Sequence, residues 1–170
     1  MSFQDFLRQD VRLVLLRVLI KSGNKRNIPL ISLLVLMATA NLVFHLSALG
    51  AIDVPPVAAL YAGLALIVMV ECVMAGRVVP MFTKNVTPGL VINVSPRFER
   101  TLLAMTAATL ALWVLGAPAP LVGVLSMAAA VLHALRLWKW HPQVTAKRPI
   151  LWILHASYAW MPIGFALLAL

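Results

Sequence analysis

The sequence predicts an all-α fold: a polytopic bundle of about five transmembrane helices preceded by an N-terminal interfacial helix. Three observations carry that expectation. The 170-residue chain is 62% hydrophobic and 11% charged, with a mean hydropathy of +0.96, whereas soluble domains are roughly a quarter charged. Its apolar residues arrive in runs near the roughly 20 residues that cross a hydrocarbon layer about 30 Å thick. All 14 Lys and Arg residues lie in three stretches flanking those runs. This composition excludes an ordinary soluble enzyme and a disordered segment. The lone Cys72 excludes an internal disulfide. A net charge of +9 would point to nucleic acid in a soluble protein, but here the cations mark membrane orientation, and no nucleic-acid partner is expected.

The first stretch, residues 1–27, is set apart from the bundle of residues 28–170. Phe3–Ile20 is apolar but broken by Asp5, Arg8, Asp10, Arg12 and Arg17. A signal peptide places its charges before an unbroken apolar core. Asp5, Arg8, Gln9 and Arg12 share one helical face, which fits a helix lying along the interface. The spans follow as Ile28–Leu49, Pro56–Gly76, Thr101–Ala117, Pro120–Leu137 and Pro149–Leu170. Pro29, Pro56, Pro120 and Pro149 stand near helix starts, where a missing backbone N–H costs little. Tight turns join spans one and two and spans three and four. A loop with Arg77, Lys84, Arg97 and Arg100 follows span two, and one with Arg136, Lys139, Lys147 and Arg148 follows span four. The positive-inside rule then makes the N-terminus cytoplasmic. Trp138, Lys139 and Trp140 read as an interfacial anchor. The chain stops at Ala-Leu-Leu-Ala-Leu without a tail, as expected for part of a longer polypeptide.

Ionisable groups inside a span cost about 2.5–3.5 kcal/mol each on insertion scales and call for a reason. Glu71, His133 and His155 lie five residues before Gly76, four before Leu137 and six after Pro149. At about 1.5 Å per residue they form an inner layer roughly 6–9 Å from the cytoplasmic boundary. His45, with Asn41 one turn away, belongs to an outer layer. Neutral imidazole is a common metal ligand and a usual axial ligand of haem iron. His133 and His155, on neighbouring antiparallel helices, are therefore the leading candidate metal ligands, with His45 a third. Glu71 could orient a histidine from behind; Tyr158 lies one turn from His155 and Met74 one turn from Glu71, and thioethers suit cuprous copper. Met105 and Thr106 enter at similar depth. Arg77 is placed to pair with an anion such as a haem propionate, or with lipid phosphate. A histidine in a bundle can also simply hydrogen-bond its neighbour. Pro162 interrupts span five and frees the Tyr158 carbonyl.

Three stretches resemble the NnrS family, polytopic bacterial membrane proteins associated with the response to nitric oxide. The first is Arg26-Asn27-Ile28-Pro29-Leu30 with Asn41 and His45 in the following span. The second, Met74-Ala75-Gly76-Arg77-Val78-Val79-Pro80-Met81-Phe82-Thr83, is similar to the family's Gly-Gly-Arg-x-x-Pro-x-Phe-Thr signature, with Ala75 for the first glycine. The third runs from Leu132-His133-Ala134-Leu135-Arg136 to Pro149 through Trp160. Family members carry about a dozen spans; at about 20 residues a span, this chain matches a central portion. The resemblance implies haem and copper as cofactors, a role in relieving nitrosative stress and residence in the bacterial inner membrane. It also implies nitric oxide as a partner, together with the bilayer and the remaining helices of a longer chain or a homo-oligomer. A transporter or channel for protons or a small solute, using Glu71 and the histidines as a relay, is the alternative. A scaffold whose polar groups only hold helices together is the third reading.

Overall fold

The computed structural model describes residues 27–170, so the predicted interfacial segment lies almost wholly outside the described residues. Five helices follow in order: α1 (Ile28–Ala48), α2 (Pro56–Val86), α3 (Pro96–Val114), α4 (Ala119–Lys139) and α5 (Pro149–Leu168), with a 3₁₀ turn at Pro142–Thr145 before the last. No strand occurs among the described residues, and the all-helical bundle is as the sequence predicts. Each helix has proline in its first two positions, where the fixed φ suits the helix and no bond is lost.

Two boundaries differ from expectation for identifiable reasons. The second helix does not stop at Gly76 but runs ten residues further, to Val86. Residues 77–85, expected in a loop, are helical. Pro80 lies inside and has no N–H to offer the Gly76 carbonyl, yet the flanking turns carry the helix through. The third helix starts five residues before Thr101, at Pro96. There the Ser95 hydroxyl accepts a hydrogen bond from the Phe98 amide at 3.2 Å, and Glu99 in the first turn complements the helix dipole. Arg97, Glu99 and Arg100 therefore sit on the helix itself. Four helices, α1, α2, α4 and α5, are long and apolar enough to cross a membrane. The third predicted span is helical too, but its charged first turns leave it short of that measure.

Tight turns reverse the chain at one end. Gly50 and Gly116, both with φ of 70°, follow α1 and α3 in matching Schellman arrangements. The Gly50 and Ala51 amides donate to Ser47 and Leu46, and those of Gly116 and Ala117 to Trp113 and Leu112. Ser47 also donates to the Val54 carbonyl, closing the first turn. At the other end, Arg148 donates to the Val86 carbonyl and so ties the start of α5 to the end of α2. Every described Lys and Arg lies at this second, basic end. Helix α1 packs chiefly on α2, and α4 packs between α3 and α5. The core includes Cys72, Leu102, Trp140, Tyr158 and Phe165.

Candidate functional site

The interior of the basic half is polar. His133 and Arg136 lie one turn apart on the buried face of α4, at 0% and 1% exposure. Facing them are Thr106 on α3, Cys72 on α2 and Tyr158 on α5, all buried. Arg136 grips Glu99 with two nitrogens, Nε to Oε1 at 3.1 Å and Nη2 to Oε2. Its Nη1 donates to the Cys72 carbonyl at 2.9 Å and to the Tyr158 hydroxyl at 3.0 Å. The guanidinium also lies 4.9 Å from the Trp140 ring centroid. A forked, delocalised cation is the side chain suited to this many partners. An isolated buried charge would cost several kcal/mol; this one is paired and hydrogen-bonded.

The hydrogen bonds beyond Arg136 have a fixed direction. Thr106 Oγ1 is 2.8 Å from the Leu102 carbonyl and 3.0 Å from His133 Nε2. Its one proton goes to the carbonyl, since two acceptors at that distance would repel, so His133 must carry its proton on Nε2 and donate to Thr106. Nδ1 then accepts from the Tyr158 hydroxyl at 2.6 Å, and Tyr158 in turn accepts from Arg136. Phe165 stacks on the imidazole, 5.3 Å between centroids and 6° from parallel. Both ring nitrogens of His133 are thus engaged. Replacing Tyr158 by Phe is expected to cost about 1–2 kcal/mol and to leave Nδ1 without a donor. Histidine ¹⁵N shifts would then keep the Nε2–H signature that Thr106 fixes, with the Nδ1 resonance moved by loss of its donor.

His155, also buried at 3% exposure, is differently placed. Its Nδ1 is 3.1 Å from the Leu151 carbonyl one turn back. Its Nε2 is 3.5 Å from Thr83 Oγ1, but the Thr83 proton is committed to the Val79 carbonyl at 2.8 Å. Thr145, 3.5 Å from Nδ1, likewise donates to Pro142 at 2.7 Å. The proton of His155 therefore belongs on Nδ1, directed at Leu151, and the Nε2 lone pair meets no donor among the described residues. A backbone carbonyl behind one nitrogen and an unmet lone pair on the other is the usual posture of a metal-ligating histidine.

Several sequence-based assignments change. His133 and His155 are both buried on neighbouring helices, but each has its own partners: Thr106 and Tyr158 for one, Thr83, Thr145 and Leu151 for the other. Glu71 does not stand behind either one. It is exposed and lines a cleft with Val68, Leu110, Trp160, Gly164 and Phe165. The next residue, Cys72, faces the core, and one helical step of about 100° turns Glu71 outward. Met74 is 40% exposed and no nearer. His45 is exposed near the end of α1, edge-on to Phe44 at 5.4 Å. Tyr158 does touch a histidine, though His133 rather than the one on its own helix. Arg77 donates to Asn27 Oδ1 at 3.1 Å. Trp140 is fully buried, not an interfacial anchor, whereas Trp138 is 72% exposed. No group of three or more His, Cys, Asp or Glu side chains converges among the described residues.

Of the two residues at the centre of the network, Arg136 counts in the sequence only as a loop cation, and Glu99 carries no sequence-based expectation. The one available signal was spacing. Arg136 is three residues after His133 and four before Trp140, so all three share a helical face that the positive-inside count does not consider.

Four membrane-length helices and a buried, directed polar network define a polytopic helical membrane protein with a structured intramembrane polar core. The chain belongs to the NnrS family: the family described as NnrS protein matches residues 11–170. At family level it is a membrane protein related to the nitric-oxide response. No curated protein and no solved structure matches it.

Proposed function

We propose that this chain acts in the nitric-oxide response and in relief of nitrosative stress as a metal-binding protein of the bacterial inner membrane, its basic end cytoplasmic, with His155 as a metal ligand. The observation that supports this is the buried His155 Nε2, whose one polar neighbour among the described residues, Thr83 Oγ1 at 3.5 Å, gives its own proton to Val79. Imidazole suits copper, and the donor posture fits a bare ion, with further ligands supplied by another copy or by helices of a longer chain. Haem, also implied by the family likeness, fits these residues less well. Neither buried imidazole lines the cleft at the basic end, the apolar cleft between α1, α2 and α3, or the cleft beside Glu71. A bound ion would supply a Lewis-acidic, redox-active centre to which nitric oxide can coordinate. The chain's own part is to hold the His155 tautomer through Leu151 and to keep water away.

On this reading His133 is a positioning residue, locked by Thr106 and Tyr158, and His45 is not a ligand. The test is metal analysis of purified protein. His155→Ala is expected to lose the bound metal, while His133→Ala and His45→Ala retain it. Full metal content in His155→Ala overturns the assignment. The alternative, a proton or solute path through Glu71 and the histidines, has weaker support. Glu71 stands on the outside of α2, and a guanidinium that does not release protons interrupts the chain of bonds at Arg136.

A further inference from the structure

A cleft of about 280 Å³ opens at the basic end, between the start of α1, the later turns of α2, the connection from α2 to α3, the first turns of α3 and the end of α4. Among the described residues, Arg77, Lys84 and Arg136 line it together with one carboxylate, Glu99, which is already held by Arg136. The described lining thus holds three cationic side chains and one carboxylate. Trp140 lines it as well, and the indole N–H of this fully buried ring has no acceptor among the described residues. Hydrogen-bond donors exceed acceptors there, which is the composition of an anion site. The remaining walls, Pro29, Val73, Ile92 and Leu103 among them, are apolar. A free inorganic anion gains nothing from such walls, whereas an amphiphile does.

We propose that this cleft binds the phosphate headgroup of an anionic phospholipid, its glycerol and first methylenes lying on the apolar wall. Basic pockets between transmembrane helices on the cytoplasmic side take such headgroups. Lys84, exposed at the rim, is the side chain freest to reach out, and Arg77 supplies a second charge while holding Asn27. The proposal does not depend on metal at His155.

The test uses the full chain in neutral detergent. Its thermal midpoint is followed during titration with phosphatidylglycerol, phosphatidylcholine or inorganic phosphate. Phosphatidylglycerol alone is expected to raise the midpoint, by about 5 °C at saturation. Lys84→Ala and Arg77→Gln are each expected to weaken the apparent affinity about fivefold. Arg97→Gln and Arg100→Gln, at exposed positions outside the cleft, should leave it unchanged. An equal shift with phosphatidylcholine overturns the proposal, as does an unaltered affinity in Lys84→Ala. Equal weakening in the two control variants would show diffuse surface attraction instead. A matching shift with inorganic phosphate would make the ligand a free anion and remove the lipid assignment.

Discussion

Replacing Gly76 by alanine is expected to destabilise the bundle by about 3–5 kcal/mol, the usual loss when a buried ion pair is broken. A Cβ at this position would overlap Arg136 Nη2 and stand 2.9 Å from its Cζ. The guanidinium cannot yield cheaply. Its other nitrogens are committed to Glu99, the Cys72 carbonyl and Tyr158, so displacement unmakes several charged bonds together. Gly63 provides the control within the same helix. Nothing lies within 4 Å of a Cβ there, and Gly63→Ala should be neutral or stabilising by up to about 1 kcal/mol from helix propensity. Unfolding of both variants in mixed micelles decides the matter; equal midpoints would mean that Arg136 leaves its place without penalty.

The second large effect is an asymmetry within the ion pair. Arg136 is 1% exposed and Glu99 26%. Removing the carboxylate leaves a cation that water cannot reach, while removing the cation leaves a carboxylate that water can partly hydrate. Glu99→Ala is therefore expected to cost about 3–5 kcal/mol and Arg136→Met somewhat less, even though Arg136 makes more bonds. The double variant should be more stable than the sum of the single losses implies, because no unpaired charge remains. Additive losses in the cycle, or a nearly silent Glu99→Ala, would contradict this account of the pair.

Helix positions were legible because apolar length and leading prolines act locally, and both survive into the bundle. The end of α2 was not legible. Arg77, Pro80 and Lys84 look like a membrane-edge loop in one dimension, but neighbours on α1, α3 and α5 hold that segment helical. The burial of His133 and His155 could be anticipated from the cost of placing imidazole near lipid. Their separate partners could not, because Thr83, Thr106 and Thr145 are ordinary residues until a fold brings them within bonding distance. Glu71 misled for a related reason. Depth along a span says nothing about rotation, and one residue's step separates the exposed Glu71 from Cys72 in the core. Counting Arg136 among the orienting cations likewise hid that it faces inward.

The pairing of Glu99 with Arg136 bears on how the chain enters its membrane. Helix α3 starts with a cluster of charges and is the least hydrophobic of the five, so a translocon presented with it alone has little reason to release it sideways into lipid. Helix α4, the next to be synthesised, brings the counter-charge and is joined to α3 by a Schellman turn too short to permit any arrangement but a hairpin. Entry of the two as one hairpin lets Glu99 come in already paired with Arg136, while Arg97, Arg100 and Lys139 stay at the basic end.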